Sequence, residues 1–447
     1  MTAEPVLRSG DGLRAGAAAV LHGNDAGGWT KASPHLYPHQ WSWDSAFNAI
    51  GWAHLDVGRA MAELEELFTA QWSTGMVPHI VFRAGPDQPY FPGPEWWDCG
   101  VAPAAALAAP LQTTGICQPP VHALALRRIW QLTPDARRAE IRTRLRALYP
   151  RLVRWHRYLA TQRDPEGSGL VTVYHPWEGT DNSPRWDSSL ARIKLVKPRP
   201  YTRLDTRQVR DKSQRPTNWD YDRYLWLVGL LRKYKYDDAE IYRRYPFLIK
   251  DVFFSAVLVS ANAALLDLAD VAGASATDRE QLTRWRDRGC SGLTGCFDAD
   301  SGLCHDYDVR AGEQIRLRTF AGFAPLFAQT PDAGQRAAQL RRLDAADFCG
   351  DPRFRWRLLP STSPAEAVFE PRNYWRGPVW PVIDWLLWHS LSLLGYASRA
   401  QQLRRDSLGQ IAAAGDFAEY FEPFTGASLG SPQQSWTAAV ALDWAAD

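Results

Sequence analysis

The stretch TPDARRAEIRTRLRALYPRLVRWHRYL, Thr133–Leu159, decides the fold class. Leu145, Leu148, Leu152 and Trp155 recur at three- and four-residue steps, which puts them on one face of an α-helix. Thr133-Pro134-Asp135 supplies a cap with Pro in the first turn, so the spacing predicts a helix over Pro134–Leu159. Arg138, Arg142, Arg146 and Arg157 fill the opposite face, a pattern that reads as a solvated surface. Net charge agrees: Lys+Arg 51 against Asp+Glu 49 leaves +2, which provides no field for nucleic acid or an anionic membrane.

The same periodicity runs outward in both directions. Helices are expected over Trp43–Leu55, Val57–Trp72, Val101–Leu111, Pro120–Gln131 and Trp219–Tyr234. Asp251–Ala269 presents Phe254, Val257, Leu258, Ala261, Leu265 and Leu268, and Thr277-x-x-Glu280 reads as a capping box ahead of Leu282 and Trp285. Val379–Leu394 stops at Gly395, and Arg399–Ala414 and Gln434–Trp444 close the chain. Strand signals are few, at Leu170–Tyr174 and Leu303–Val309, and no Gly-rich phosphate loop follows a strand. The expectation is an all-α chain of about a dozen helices with a large core. No run of roughly 18 apolar residues stands out, so no membrane span is expected. MTAEPVLRSGDGLR lacks an apolar leader core, and Cys99, Cys117, Cys290, Cys296, Cys304 and Cys349 form no C-x-x-C pair, which together point to a cytoplasmic protein.

Three stretches, Pro78–Gly100, Pro176–Asn218 and Arg355–Arg376, are too long and polar for helix connections and are expected to carry function. Aromatic residues are abundant, with 21 Trp, 16 Tyr and 17 Phe, and the informative ones sit beside acids. Carboxylates among aromatic rings suit a sugar, whose C–H faces stack on Trp and whose hydroxyl pairs take bidentate hydrogen bonds. Glycosidic cleavage needs two carboxyls, one protonated to assist the leaving oxygen and one ionised. Other chemistries fare worse. Pro34 and Pro38 break the helix that His35 and His39 would need to hold zinc, so no metal site is expected. Asp298-Ala-Asp300-Ser-Gly302 is half a calcium loop and reads as a turn, and no G-x-S-x-G elbow occurs.

Five segments then act together: YPHQWSWDS at Tyr37–Ser45, ICQPPV at Ile116–Val121, HPWEGTDNSPRWD at His175–Asp187, NYWRGPVW at Asn373–Trp380 and FAEYFEPFTG at Phe417–Gly426. Combined, they resemble glycoside hydrolase family 63, in its bacterial branch acting on glucosylglycerate and mannosylglycerate, from about Tyr37 to Trp436. The resemblance implies an (α/α)6 barrel, a single catalytic domain over 1–447 with loop insertions at about 78–100, 176–218 and 355–376 capping the site, an inverting mechanism and no cofactor. It implies Asp181 as general acid and Glu419 as the base that activates water. Trp41, Trp43, Asp44, Gln118 and Trp380 would line the pocket that holds the sugar, and Tyr37 would also bind substrate. Trp177, Gly179, Thr180 and Trp375 would surround the scissile bond. Tyr90, Arg215, Tyr221, Tyr374 and Gln434 would surround the glycerate, with Arg215 on its carboxylate.

The His175–Asp187 segment is one residue shorter than the family's form, so Glu178 and Asp187 stand beside Asp181 as candidate acids, and Glu422 beside Glu419 as base. Asp187 is expected to pair with Arg185 next door. A trehalase-like or oligosaccharide glucosidase on the same barrel, and a sugar-binding protein without catalysis, are the rival readings. The expected partner is a small sugar substrate, with neither nucleic acid nor membrane. A homo-oligomer and the choice of glucose against mannose stay open.

Overall fold

The computed structural model describes residues 10–446 apart from 84, 86, 87, 109, 197, 210 and 331, so most of the stretch read for a leader lies outside the described residues. Twelve helices carry the architecture: α1 Gly10–Asn24, α2 Ser42–Ala53, α3 Val57–Thr69, α4 His122–Leu132, α5 Arg138–Thr161, α6 Val252–Ala272, α7 Ala276–Gly295, α8 Ala324–Phe327, α9 Ala333–Leu343, α10 Pro381–Leu393, α11 Ala397–Ala414 and α12 Ser435–Ala446. The even-numbered helices touch in a closed circuit, α2 on α4, α4 on α6, α6 on α8, α8 on α10, α10 on α12, and α12 back on α2. Each odd-numbered helix packs on that circuit: α1 on α12 and α2, α3 on α2 and α4, α5 on α4 and α6, α7 on α6 and α8, α9 on α8, and α11 on α10 and α12.

Side-chain chemistry explains which helices go where. All of α2 is buried, and α12 is buried from Ser435 to Trp444, so both pack on every face, with polar side chains such as Asp44, Asn48 and Asp443 buried among the apolar ones. By contrast, α5 and α7 bury a stripe and leave their arginines toward water. α6 corrects one expectation. Its 18-residue window, at mean hydropathy 1.9, is long and apolar enough to cross a membrane, yet 83% of that window is buried in the protein. Packing against α4, α5, α7 and α8 makes it a core helix.

Other differences have local causes. Val101–Leu111 is two 3₁₀ turns, Cys99–Val101 and Pro103–Ala108, because Pro103 and Pro110 interrupt an alanine run with no apolar stripe to dock. The cap of α7 is Ser275, which accepts from the Asp278 amide, two residues ahead of the Thr277 expected from the sequence. α1, α9, the short α8 and the helix Asp238–Arg244 had no sequence signal wide enough to stand out. Short strands are more numerous than expected. Gln40–Trp41, Ile80–Phe82 and Gln112–Thr113 form one antiparallel sheet, and Thr172–Val173, Ile249–Lys250, Asp306–Asp308 and Glu313–Ile315 form another. A third pair, Tyr420–Phe421 with Ser428–Leu429, bridges to Val379. Gln40–Trp41 and Ile249–Lys250 immediately precede α2 and α6, so they tie down the segments entering the N-terminal ends of those helices.

Candidate active site

Those entering segments enclose a cavity of about 560 Å³, mouth included. Its walls contain Tyr37, Trp41, Trp43, Asp44, Tyr90, Gln118, Trp177, Gly179, Asp181, Arg215, Tyr221, Tyr374, Trp375, Glu419 and Gln434, each named from the sequence. Ala32, His79 and Trp436 also line it and were not anticipated. Two expected residues stand behind the wall. The Thr180 hydroxyl accepts from Arg185 Nη2 at 2.9 Å, and Trp380 stacks at 3.8 Å on Trp375, backing it rather than facing the space.

Asp181 is presented by a loop with buried anchors. His175 is neutral, its protonation held down to about 4 by burial; Nε2–H donates to the Tyr224 carbonyl and Nδ1 accepts from Trp177 N–H. Glu178 turns away from the cavity and accepts from Arg163 at 2.6 and 3.0 Å and from the backbone amides of Cys117 and Tyr174. Gly179 follows at φ +126°, and a Cβ there would meet Pro119 Cδ at 3.0 Å, so only glycine lets this loop cross the Gln118 segment. After Asp181, the Asn182 side chain bonds Asn373 and accepts from the Trp375 amide, joining the acid's loop to the Tyr374–Arg376 turn. Burial pushes the Asp181 carboxyl up to about 7, against the opposing pull of Arg215.

Glu419 is buried and better supplied with donors. Tyr37 Oη donates to its Oε1 at 3.0 Å and the Ser431 amide to its Oε2 at 3.0 Å. A Cβ on Gly430, at φ +70°, would stand 2.4 Å from Oε2, so glycine permits the close backbone approach. Burial raises the Glu419 carboxyl, and Arg215, Ser431 and Tyr37 work against that rise. Arg215 Nη1 donates to Tyr37 Oη at 2.8 Å, so Tyr37 stands between the guanidinium and the carboxylate. Tyr374 Oη lies 3.1 Å from Tyr37 Oη, on a backbone held at φ +46°, a left-handed conformation that costs a tyrosine on the order of 1–3 kcal/mol. Asp44, in the first turn of α2, is pushed well above the carboxylate range by burial and then by Glu419, and Gln434 Nε2 reaches it at 3.4 Å.

The competing acids are occupied elsewhere. Glu178 is held below its usual range: burial raises it, but Arg163 and the two amides outweigh that. Asp187 pairs with Arg376 at 2.8 and 2.9 Å, correcting the expected Arg185, which pairs instead with Asp306 and Asp251. Glu422 accepts from the amide and hydroxyl of Thr425 and caps a turn. His79, missed from sequence, is buried with no partner on Nδ1, and burial followed by His175 lowers its protonation to about 3, so it faces the cavity neutral. Its only signal was its place in the 78–100 segment, since Val77, Ile80 and Val81 around it read as core.

The profile of the mannosylglycerate hydrolase MGH1-like glycoside hydrolase domain matches residues 37–437. The chain is 45% identical over 436 residues to the glucosylglycerate hydrolase of Mycolicibacterium hassiacum, covering 97% of each. It is 42% identical to the mannosylglycerate hydrolase of Thermus thermophilus, covering 96% of this chain and 99% of that one. A crystal structure of the family 63 mannosylglycerate hydrolase from Thermus thermophilus, in complex with Tris and D-glycerate, superposes with a TM-score of 0.88 at 41% identity, over 97% of this chain and 99% of that one.

Proposed function

The chain belongs to the MGH1-like glycoside hydrolases of family 63, and on that premise we propose that it is an inverting hydrolase cleaving α-glucosylglycerate to hexose and glycerate, with mannosylglycerate the second substrate to test. The observation that carries this reading is one aromatic cavity holding a carboxyl raised to about 7, a second carboxyl bound by two donors, and Arg215 beside both. The alternating helix contacts support an (α/α)6 barrel, even helices inside and odd outside, as a single catalytic domain capped by the 78–100, 176–218 and 355–376 segments. Six unpaired cysteines suit a cytoplasmic setting.

In this mechanism the sugar ring lies among Trp41, Trp43 and Trp375 with Asp44 and Gln118 on its hydroxyls, and Trp380 steadies Trp375 from behind. Asp181 arrives protonated and gives its proton to the glycosidic oxygen as the C1–O bond breaks. Glu419, ionised, takes a proton from a water that attacks C1 from the opposite face. Arg215 takes the glycerate carboxylate, for which a planar guanidinium offers two parallel donors. Proton NMR of the reaction is the test: β-hexose first supports inversion, whereas α-hexose first makes the enzyme retaining and removes these roles.

Two expected outcomes follow from the site. kcat/KM falls as pH rises through about 7, because Asp181 loses the proton it must donate. It falls again on the acid side above pH 4.5, because burial raises Glu419 from that value and protonation removes the base. A pH–rate profile locates both limbs, and activity flat to about pH 9 removes Asp181 from the acid's role. Arg215→Ala raises KM for glucosylglycerate by about tenfold or more, since one lost charge-assisted bond is worth roughly 1.5–3 kcal/mol. An unchanged KM places the carboxylate elsewhere.

A further inference from the structure

We propose that the glycerate carboxylate is a working part of the acid catalyst: seated on Arg215, it cancels the only cation that lines the cavity among the described residues, and Asp181 then faces no positive charge. The inference rests on the assignment of Asp181 as acid and Arg215 as the carboxylate's partner.

Arg215 has no carboxylate to itself: it shares Asp205, and it meets Glu419 only through Tyr37 Oη. Its Nε donates to Asp205 Oδ2 at 3.2 Å, but the same carboxylate already takes two bonds from Arg203, at 3.0 and 2.6 Å. One carboxylate shared by two guanidiniums leaves a net positive charge. Arg203 is further committed to the Pro216 carbonyl and lies 3.8 Å over the Tyr221 ring, outside the cavity wall. Arg215 faces inward, through Nη1 to Tyr37 Oη, with its guanidinium 4.5 Å over the ring of Tyr374.

The other groups facing Asp181 and Arg215 offer no competing cation. Tyr37, Tyr90, Tyr221 and Tyr374 are pushed above the usual tyrosine range by burial and stay neutral, and His79 is neutral as well. Asp44 and Glu419 are carboxyls. After burial, Arg215 is the largest influence on Asp181, and it pulls toward ionisation. An aglycone carboxylate on Arg215 removes that pull, so the proton stays on Asp181 until the glycosidic oxygen takes it. Glu419 feels the same loss, yet it keeps direct donors in Tyr37 and the Ser431 amide. The acid is therefore favoured without equal harm to the base, and selectivity for an anionic aglycone is expressed in kcat as well as in KM.

The test compares glucosylglycerate with the otherwise identical glucoside of glycerol, which carries CH2OH in place of the carboxylate, on the unaltered chain. With glucosylglycerate the alkaline limb of kcat is expected about one pH unit above that of kcat/KM, the scale on which a charge within a few ångströms moves a carboxyl. With the uncharged glucoside the two limbs coincide. In Arg215→Gln the kcat/KM limb for glucosylglycerate moves up, because the free enzyme no longer holds the cation that favours the ionised acid. Coincident limbs with glucosylglycerate, in an enzyme that hydrolyses it, overturn this proposal and leave the function standing. Absence of turnover on both glucosylglycerate and mannosylglycerate overturns the function and this proposal with it.

Discussion

Asp181→Asn and Glu419→Gln each lower kcat on glucosylglycerate by roughly 10³-fold or more, near the upper part of what positioned proton transfer contributes. The amides are close in size and keep the fold, so far-ultraviolet dichroism and the thermal midpoint stay near those of the parent chain. Neither side chain anchors the structure: Asp181 stands at the cavity face, and Glu419 gains its contacts from neighbours held by other bonds, such as the Glu419–Ser431 backbone pair at 2.9 Å. The two losses separate by leaving group. α-Glucosyl fluoride departs with little need of a proton, so Asp181→Asn recovers much of its rate on that substrate. Glu419→Gln does not, because the attacking water still lacks its base. Equal recovery in both variants assigns the acid elsewhere, and Glu178, Asp187 and Glu422 are already engaged with Arg163, Arg376 and Thr425.

How much of this was legible in the chain depended on the range of the physics involved. Local patterns read well. α2, α6, α10 and α12 are apolar on nearly every face, and five motif segments lie at or just ahead of helices of the inner circuit or their flanking loops. Aromatic–acid adjacency therefore singled out the segments Tyr37–Asp44, His175–Asp187, Asn373–Trp380 and Phe417–Pro423, whereas Tyr90, Gln118, Arg215, Tyr221 and Gln434 came from the family resemblance. Thr180 and Trp380 sit one residue from lining positions or behind a lining ring, a difference of side-chain direction that adjacency cannot resolve. Long-range pairing was opaque: Asp187 looked committed to its neighbour Arg185, whereas its partner Arg376 lies 189 residues away. His79 was hidden for a related reason, since it sits among apolar residues and becomes part of the wall only when strands and helices converge. Alanine-rich Val101–Leu111 misled in the opposite sense, because helix propensity alone does not dock a segment that has two prolines and no stripe.

Glu178→Ala destabilises the protein by about 3 kcal/mol, because the buried Arg163 guanidinium loses its bidentate partner and keeps only Asp238, at 3.7 Å. Both side chains are 1% exposed. Arg163 also donates to the Thr172 carbonyl and Tyr158 Oη and lies 3.6 Å over the Tyr174 ring, so it has no route to water once its partner is gone. The pH dependence has a definite sign. Glu178 is held below its ordinary value of 4.5, so its stabilisation is fully present above that pH and is lost as pH falls through the lower folded value. Denaturation midpoints at about pH 7 therefore differ strongly between parent and variant, and the difference narrows as pH falls below 4.5. Replacing both partners by apolar residues, as Arg163→Met with Glu178→Met, costs less than Glu178→Ala alone, since the buried guanidinium goes with its carboxylate and only Asp238, which keeps Tyr158 Oη, loses a cation. The same carboxylate accepts from the amides of Cys117 and Tyr174, and so fixes the two loops that carry Gln118 and Asp181. Folded Glu178→Gln accordingly loses kcat through misplacement of the acid, by less than Asp181→Asn, and its alkaline limb stays near about 7 because the titrating acid is unchanged. Loss of that limb in Glu178→Gln, with Asp181→Asn still active, makes Glu178 the proton donor and its pairing with Arg163 a resting arrangement that substrate must break.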